Sequence, residues 1–303
     1  MHGTFPASPK ERSEGFSLRG WTMGILDALL AQTAAGRCPV RPLAPATKPP
    51  PPTWRHIHPQ PELFIQCSGA TRFAFPHAAR GLELRAGEVL PMPGLLAHRE
   101  AVLGGSAFAN LVFMPNDRQV AYHLARRSPA DPGRPYGVAS DVVATADGRL
   151  AVAALEGLVR CARSPEPDPR EVAGWFTAWA SLVRSLLAAA PAGALDDDRI
   201  ARCRQLVETY LSKPDLTVTL LAQWCGCSAD HLGRSFRAEA GTTLAKHIVR
   251  MRIRRAQSLL AGSELPVRTV ASAVGYKDPS YFCRSFRLVA GRTPEAWRRG
   301  SRT

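Results

Sequence analysis

The last third of the chain, Thr217 to Trp297, holds one signature twice, and nothing else in the sequence constrains the fold as tightly. The first copy reads S-A-D-H-L-G-R-S-F-R-A-E-A-G-T-T (Ser228–Thr243). The second reads D-P-S-Y-F-C-R-S-F-R-L-V-A-G-R-T (Asp278–Thr293). A shift of 50 positions lays Arg234, Ser235, Phe236 and Arg237 on Arg284, Ser285, Phe286 and Arg287. Ala240, Gly241 and Thr243 fall likewise on Ala290, Gly291 and Thr293. Repetition at a fixed offset means that one supersecondary unit is used twice.

Each copy predicts a helix, a turn and a second helix. In the first, Thr217 caps a short helix with Leu220, Leu221 and Trp224 inward, and Cys225-Gly226 breaks it. Ser228 then caps a helix that buries Leu232 and Phe236, four residues apart, and turns Ala229, Asp230, Gly233, Arg234 and Arg237 outward. In the second, Val270, Ala271 and Val274 lead to Gly275-Tyr276. A helix from about Asp278 buries Phe282 and Phe286 and presents Pro279, Ser280, Cys283, Arg284 and Arg287. Pro279 suits the first turn, where its missing N–H has no intrahelical partner to lose. An Arg-bearing helix behind a turn of small residues has the shape that enters a major groove. Between the copies, Leu244–Leu260 keeps Ile248, Met251, Ala256, Leu259 and Leu260 in helical period. A rod of that length spans roughly 25 Å, close to the 34 Å or so between successive major-groove faces.

These residues resemble the AraC/XylS type of bacterial transcription regulators. The match runs through Leu221-Ala222, Ser228, Leu232, Arg234, Phe236 and Gly241, then R-I-R-R-A-Q-S-L-L (Arg252–Leu260). It continues with V-A-S-A-V-G-Y-K-D-P-S-Y-F-C-R-S-F-R (Val270–Arg287) and G-R-T-P-E-A-W-R (Gly291–Arg298). It covers about the last hundred residues, with a dozen spacings held together. The resemblance implies an all-α, seven-helix DNA-binding domain with two helix-turn-helix units, double-stranded promoter DNA and RNA polymerase as partners, and a cytoplasmic, nucleoid-associated protein. It puts Arg234 and Arg284 at base-facing positions, where each can grip guanine bidentately; a phosphate contact or a solvated face is the alternative. Arg237, Lys277 and Arg287 are expected on phosphates, and His231 and Tyr281 at positions that pack partly inside. Two departures stand out. Pro266 replaces a small polar cap, and Asp230 is acidic where bases are faced.

Charge agrees with a polyanionic partner. The whole chain carries 39 Lys+Arg against 25 Asp+Glu. From Asp196 onward there are 19 basic and 10 acidic residues, so +9 of the total +14 lies there. The seven cysteines (Cys38, Cys67, Cys161, Cys203, Cys225, Cys227, Cys283) form no C-x-x-C pair and read as small core residues of a reducing compartment. Cys225 and Cys227, two apart, suit no common disulfide or zinc arrangement. No secretory signal pattern is expected at the start, and no apolar run of the roughly twenty residues that span a bilayer.

The 303 residues suggest more than one domain. We expect an arm and Pro-rich linker over 1–52, with a short amphipathic helix at Trp21–Ala35 and a stiff extended stretch at Pro42–Pro52. A strand-rich domain follows over 53–130, a helical region over 131–195, and the DNA-binding domain over 196–303. Strand signals are E-L-F-I-Q-C, R-F-A-F, L-E-L-R-A-G, E-V-L-P-M-P-G and A-F-A-N-L-V-F-M, which suggest a sandwich or barrel. Here H-I-H-P-Q-P-E-L-F-I-Q-C-S-G (His56–Gly69) and G-E-V-L-P-M-P-G-L-L-A-H (Gly87–His98) resemble the two cupin motifs. The Asn that often closes the second is replaced near Glu100 and Val102. That resemblance implies an all-β cupin-like barrel with flanking helices that senses a small-molecule effector. His56, His58, Glu62 and His98 would either hold a divalent metal or hydrogen-bond an organic effector. Phe64, Phe73, Phe75, Phe108 and Phe113 are candidates for pocket lining or core.

Asp147–Arg163 and Arg170–Ala190 have helical period and wide apolar faces. Those faces either cover the barrel or form a homodimer interface. Pro191–Leu195 marks the domain boundary, with Asp198 capping a helix Arg199–Ser212. The leading reading is a ligand-responsive regulator that is not an enzyme. A cupin enzyme with a DNA-binding tail, or a non-specific nucleoid binder, is the rival.

Overall fold

In a computed structural model of the chain, the described residues are 17–43, 60–76, 81–103, 108–127, 133, 135–190 and 199–301. His56, His58, the Pro-rich stretch beyond Leu43, and Asp198 lie outside them. The chain divides into two compact units, the first drawing on described residues 17–190 and the second on 199–301.

The first unit opens with α1 (Leu18–Ala34), capped where Ser17 Oγ accepts the Gly20 N–H at 3.2 Å. Eight strands follow: β1 (Glu62–Ser68), β2 (Ala70–Ala74), β3 (Leu82–Arg85), β4 (Val89–Met92), β5 (Arg99–Leu103), β6 (Ala109–Asn116), β7 (Gln119–Arg127) and β8 (Pro135–Ala144). They form a five-stranded sheet, β4-β1-β6-β7-β8, and a three-stranded sheet, β3-β2-β5, with antiparallel pairing between neighbouring strands throughout. Neither sheet closes on itself, so the expected barrel is met only in its strands. The chain passes from one sheet to the other at Gly69, whose φ of 70° turns β1 into β2.

The large sheet is buried on both faces, which explains why six consecutive β1 residues are buried instead of alternating. Leu63, Ile65 and Cys67 point to the helices, joined there by Leu111, Phe113, Val120, Tyr122 and Leu124. Phe64, Leu90, Met92 and Val112 point the other way and pack on Phe73 and Leu84 of the small sheet. The candidate pocket aromatics therefore separate. Phe64, Phe73 and Phe75 belong to the layer between the sheets, and Phe113 packs beneath the helices against Trp179 at 5.2 Å.

Helices α2 (Gly148–Ala162) and α3 (Pro169–Ala189) cover that face with α1. Their apolar stripes are consumed inside the unit: Leu155, Leu158, Val172, Phe176, Trp179 and Val183 are all buried. Each fully buried side chain of the Phe176 or Val183 kind contributes roughly 1.5–3 kcal/mol. One expectation needs correction. Helix α3 has 21 residues and a stretch of mean hydropathy 1.3, so by length and composition it is apolar enough to cross a membrane. Its Phe176, Trp179 and Val183 lie instead in this core, and Glu171, Thr177, Ser181 and Ser185 take the exposed side.

Polar contacts fasten α1 to the rest. Arg19 Nε donates to Asp141 Oδ2 at 3.0 Å, and its Nη1 donates to the carbonyl of Ala190, just past α3, at 3.1 Å. Tyr122 Oη donates to the same Asp141 oxygen at 2.8 Å. Burial pushes the Asp141 pKa up, but the hydrogen bonds and charge of Arg19, then Tyr122, outweigh it and leave the carboxyl below its usual range. Asp27 pairs with Arg184 across α1 and α3.

The second unit has seven helices among the described residues: α4 (Arg199–Tyr210), α5 (Val218–Trp224), α6 (Ala229–Ala240), α7 (Leu244–Gly262), α8 (Val267–Ala273), α9 (Pro279–Ala290) and α10 (Pro294–Gly300). α7 runs through both halves. Near its start His247 packs 5.1 Å from Phe236 of α6. Further along, Ile253, Ala256 and Leu260 join Val270, Val274, Tyr276, Phe282 and Phe286 in one core.

Candidate nucleic-acid interface

The sequence repeat is a repeat of geometry. Ser228 Oγ accepts the His231 N–H at 3.2 Å to start α6, and Asp278 Oδ1 accepts the Ser280 N–H at 2.7 Å to start α9. Both helices end on left-handed glycines, Gly241 at φ 64° and Gly291 at φ 75°, whose N–H groups close on the carbonyls of Arg237 and Arg287. Inside, Leu232 and Phe236 in one helix match Phe282 and Phe286 in the other. The two helices bury equivalent faces, so their outer faces are equivalent as well.

On α6 the outer face carries exposed Asp230, Arg234 and Arg237, with Ala229 and Gly233 half-buried between them. On α9 and its leading turn, Lys277, Pro279, Ser280, Arg284 and Arg287 are exposed and Cys283 is half-buried. Asp230 sits in the first turn of α6, where the helix dipole favours an acid. Lys277 is paired with Asp215, so a phosphate contact there must compete with a carboxylate. Pro266 precedes α8 with no side-chain cap, as its ring dictates.

His231 and Tyr281 depart from expectation, since both are exposed. Tyr281 is 52% exposed and has two partners: Arg284 Cζ on the outer face is 5.8 Å from its ring, and the ring of buried Tyr276 is 5.8 Å away. A cation resting on an aromatic ring holds Arg284 in a restricted set of rotamers.

Arg252 is the residue that sequence reasoning passed over. It projects from α7, donates to the carbonyls of Leu211 at 3.0 Å and Lys213 at 2.8 Å, and lies 5.6 Å from the Tyr276 ring. Burial holds its pKa below the ordinary guanidinium value, although it stays charged. Gly275 makes room for it: a Cβ there would lie 2.7 Å from Leu211 O and 2.8 Å from Arg252 Nη2. One guanidinium thus ties the end of α4, the spacer helix and the second turn. The 19-residue α7, about 28 Å long, is the spacer between the two outer faces. The field around it is cationic. Burial, then the charges of Arg204, Arg254 and Arg250, hold the His247 imidazole below its ordinary value.

In the first unit, Glu62 and His98 do come together. His98 is wholly buried, with Nδ1 3.1 Å from the Leu96 carbonyl and Nε2 3.6 Å from Glu100 Oε1. Burial pulls its pKa down, but the Glu100 hydrogen bond and the charges of Glu62 and Glu100 outweigh it, and the imidazole ends above its ordinary value. A ring that favours its proton is a poor metal donor. Among the described residues no three such side chains are placed to hold a metal ion; His56 and His58 are outside that set.

A family model described as a helix-turn-helix domain matches residues 221–300. The second unit is an AraC-type helix-turn-helix domain. The matched segment holds α5 to α10 and so both Arg-bearing helices. Among relatives, the HTH-type transcriptional regulator GlxA of Rhizobium meliloti is 35% identical over 95 residues, 31% of this chain and 29% of that one. The MmsAB operon regulatory protein of Pseudomonas aeruginosa is 35% identical over 130 residues, 41% of each chain. The arabinose operon regulatory protein of Escherichia coli is 29% identical over 104 residues, 34% of this chain and 36% of that one. The chain thus spans about 29–41% of the length of these relatives.

Proposed function

We propose that this chain is a sequence-specific, double-stranded-DNA-binding transcription regulator whose first unit receives a small-molecule signal. The observation that carries the reading is the paired outer face. Two helices of equal length, capped and packed alike, expose Arg234 and Arg284 at matching positions on either side of one rigid spacer. In this reading Arg234 and Arg284 read bases, Tyr281 steadies Arg284, and Arg237 and Arg287 take phosphates and fix register. Lys277 does so only where phosphate outbids Asp215. The concentration of basic charge in the second unit supplies the non-specific part of the affinity. The relatives described as operon regulators and a transcriptional regulator favour the assignment of a regulator; a cytoplasmic protein acting at promoters with RNA polymerase is part of the same proposal.

For the first unit, the reading is a cupin-like sensing layer between the two sheets, with the Glu62–His98–Glu100 cluster at one end and Phe64 and Phe73 beside it. An effector acts only if it binds the DNA-competent state more tightly than the other. A second copy of the chain belongs to this reading, so that two AraC-type domains are presented together.

Selection of bound sites from a random duplex pool by the full chain tests the assignment. A recovered motif with two conserved blocks about one helical turn apart is expected. Enrichment of no sequence over competitor duplex, at salt concentrations where binding persists, contradicts it.

A further inference from the structure

The outer faces of α6 and α9 are built alike but differ in one charge. At the 50-residue offset Asp230 of α6 falls on Ser280 of α9. Ser228 and Asp278 are exchanged in the opposite sense. The exchange has a structural consequence. Asp278 is occupied as a cap, its Oδ1 accepting the Ser280 N–H at 2.7 Å. In α6 that task falls to Ser228, whose Oγ accepts the His231 N–H at 3.2 Å, so Asp230 is not needed for it.

Asp230 is exposed, and among the described residues its carboxylate has neither an ion pair nor a hydrogen bond. Other acids of the unit are engaged: Glu239 with Arg204 at 3.0 Å, and Asp215 with Lys277. The helix dipole asks only for an acid near the first turn, and a capping acid such as Asp278 meets that need without standing on the outer face. The surface around Asp230 is low. Ala229 precedes it, and Gly233, one turn on, has no side chain; a Cβ there would meet nothing within 4 Å. A short acid has one methylene of reach, so it touches a base only where the helix lies close to the groove floor. Small neighbours permit that approach.

We propose that Asp230 is a specificity-determining residue that reads cytosine in one of the two half-sites. In the major groove only cytosine N4 and adenine N6 can donate to a carboxylate. Adenine sets the acceptor N7 beside its N6, while guanine and thymine present acceptors at that edge, so all three repel the charge. A recognition helix meets base edges with its N-terminal residues, which is where Asp230 stands. Arg234 lies one turn further, about 6 Å along the axis. The guanine it grips therefore falls within roughly two base pairs of that cytosine, at about 3.4 Å per step.

The carboxylate also works by exclusion. Close to phosphates it weakens binding to every duplex, and a cytosine amino group in the right place offsets that loss. α9 contains no acid, so it grips its half-site with less discrimination. The two half-sites are therefore unequal, although the helices that meet them are capped and packed alike. This assignment rests on the DNA-binding reading of the paired faces.

The test selects sites from a random duplex pool with the full wild-type chain and with Asp230→Ala, Asp230→Asn and Arg234→Ala. Fluorescence anisotropy then measures affinity across base variants of the recovered site. The wild type should require cytosine at one position of one block, within about two base pairs of the guanine whose preference Arg234→Ala relaxes. Asp230→Ala should lower discrimination for that cytosine about tenfold, leave the other block unchanged, and bind random duplex as tightly or more tightly. Asp230→Asn should move the preference there to adenine, whose N6 and N7 fit a carboxamide. An equal change on every base variant leaves the carboxylate a helix-stabilising or repelling charge and overturns the proposal, as does a wild-type preference for another base at that position. A two-block motif that Asp230→Ala leaves unaltered overturns the reading of Asp230 alone. A wild-type chain that enriches no sequence overturns the DNA-binding reading, and this one with it.

Discussion

Gly275→Ala tests whether Arg252 holds the second helix-turn-helix together. The φ of 86° at Gly275 costs an L side chain about 1–2 kcal/mol. The added Cβ would also lie 2.7 Å from the Leu211 carbonyl and 2.8 Å from Arg252 Nη2. The carbonyl is backbone and yields little, so the guanidinium must move off Leu211 or Lys213. A hydrogen bond to a charged group is worth about 1.5–3 kcal/mol, which brings the total to roughly 2.5–5 kcal/mol. Gly291→Ala is the control: its φ is 75°, but no atom lies within 4 Å of the new Cβ, so only the backbone cost of about 1–2 kcal/mol applies. Hydrogen exchange followed by mass spectrometry on the full chain reads both locally. Since each 1.4 kcal/mol is tenfold, α8 and its turn should exchange about a hundredfold faster or more in Gly275→Ala, and about tenfold faster around residue 291 in the control. With Arg252→Met in the background, the Gly275→Ala penalty should fall by the guanidinium share. Equal effects at the two glycines, or an undiminished penalty without Arg252, would refute the reasoning.

Arg284→Ala should cost roughly 1–3 kcal/mol on a selected duplex and relax preference at one or two base pairs; titration by fluorescence anisotropy across base variants measures it, and equal losses on all sequences would make it a phosphate contact. Arg19→Met leaves Asp141 with Tyr122 and the Val142 N–H but no counter-charge, which should destabilise the first unit by about 2–4 kcal/mol and speed exchange in α1; a change under half a kcal/mol in a urea melt would contradict the clamp. His98 has a folded pKa above its unfolded value, so its contribution is fully present below about pH 6.5 and is lost as pH rises through the folded value. Melting of the first unit should therefore fall over that window in the wild type and not in His98→Gln; parallel profiles would count against it.

The sequence shows most where structure is local. Thr217 and Ser228, read as caps from the sequence, do cap the helices that follow them, because a cap needs only its own next turn. The periodic stretches at Asp147–Arg163 and Arg170–Ala190 become α2 and α3 to within a residue at either end. Strands β5, β7 and β8 were not legible. β8 scatters Pro135, Gly137 and Asp141, poor strand formers, among its Val and Ala residues, and pairs along β7 over nearly its whole length. Both apolar helical faces turn out to be covered within the unit by a sheet whose own burial no period reveals.

The site divides in the same way. The helix faces follow from a 3.6-residue period, so the exposure of Arg234, Arg237, Arg284 and Arg287 could be read from spacing. Tyr281 could not, because Arg284 on the outer face and the ring of buried Tyr276 give it partners and remove the need to pack inside. The hydrogen bonds of Arg252 to Leu211 and Lys213 join residues 41 and 39 positions apart. Such contacts exist only once the helices have docked.

The most direct test of two helices gripping one duplex through a rigid spacer is to lengthen a selected site between its two blocks. Insertion of about 5 base pairs rotates one block half a turn to the far face, and about 10 restores it to the near face at a greater distance. The full chain should lose nearly all the affinity gained from the second block in both cases, since α7 cannot stretch. Binding that recovers at the full-turn insertion, or that never depended on the spacing, would contradict the account.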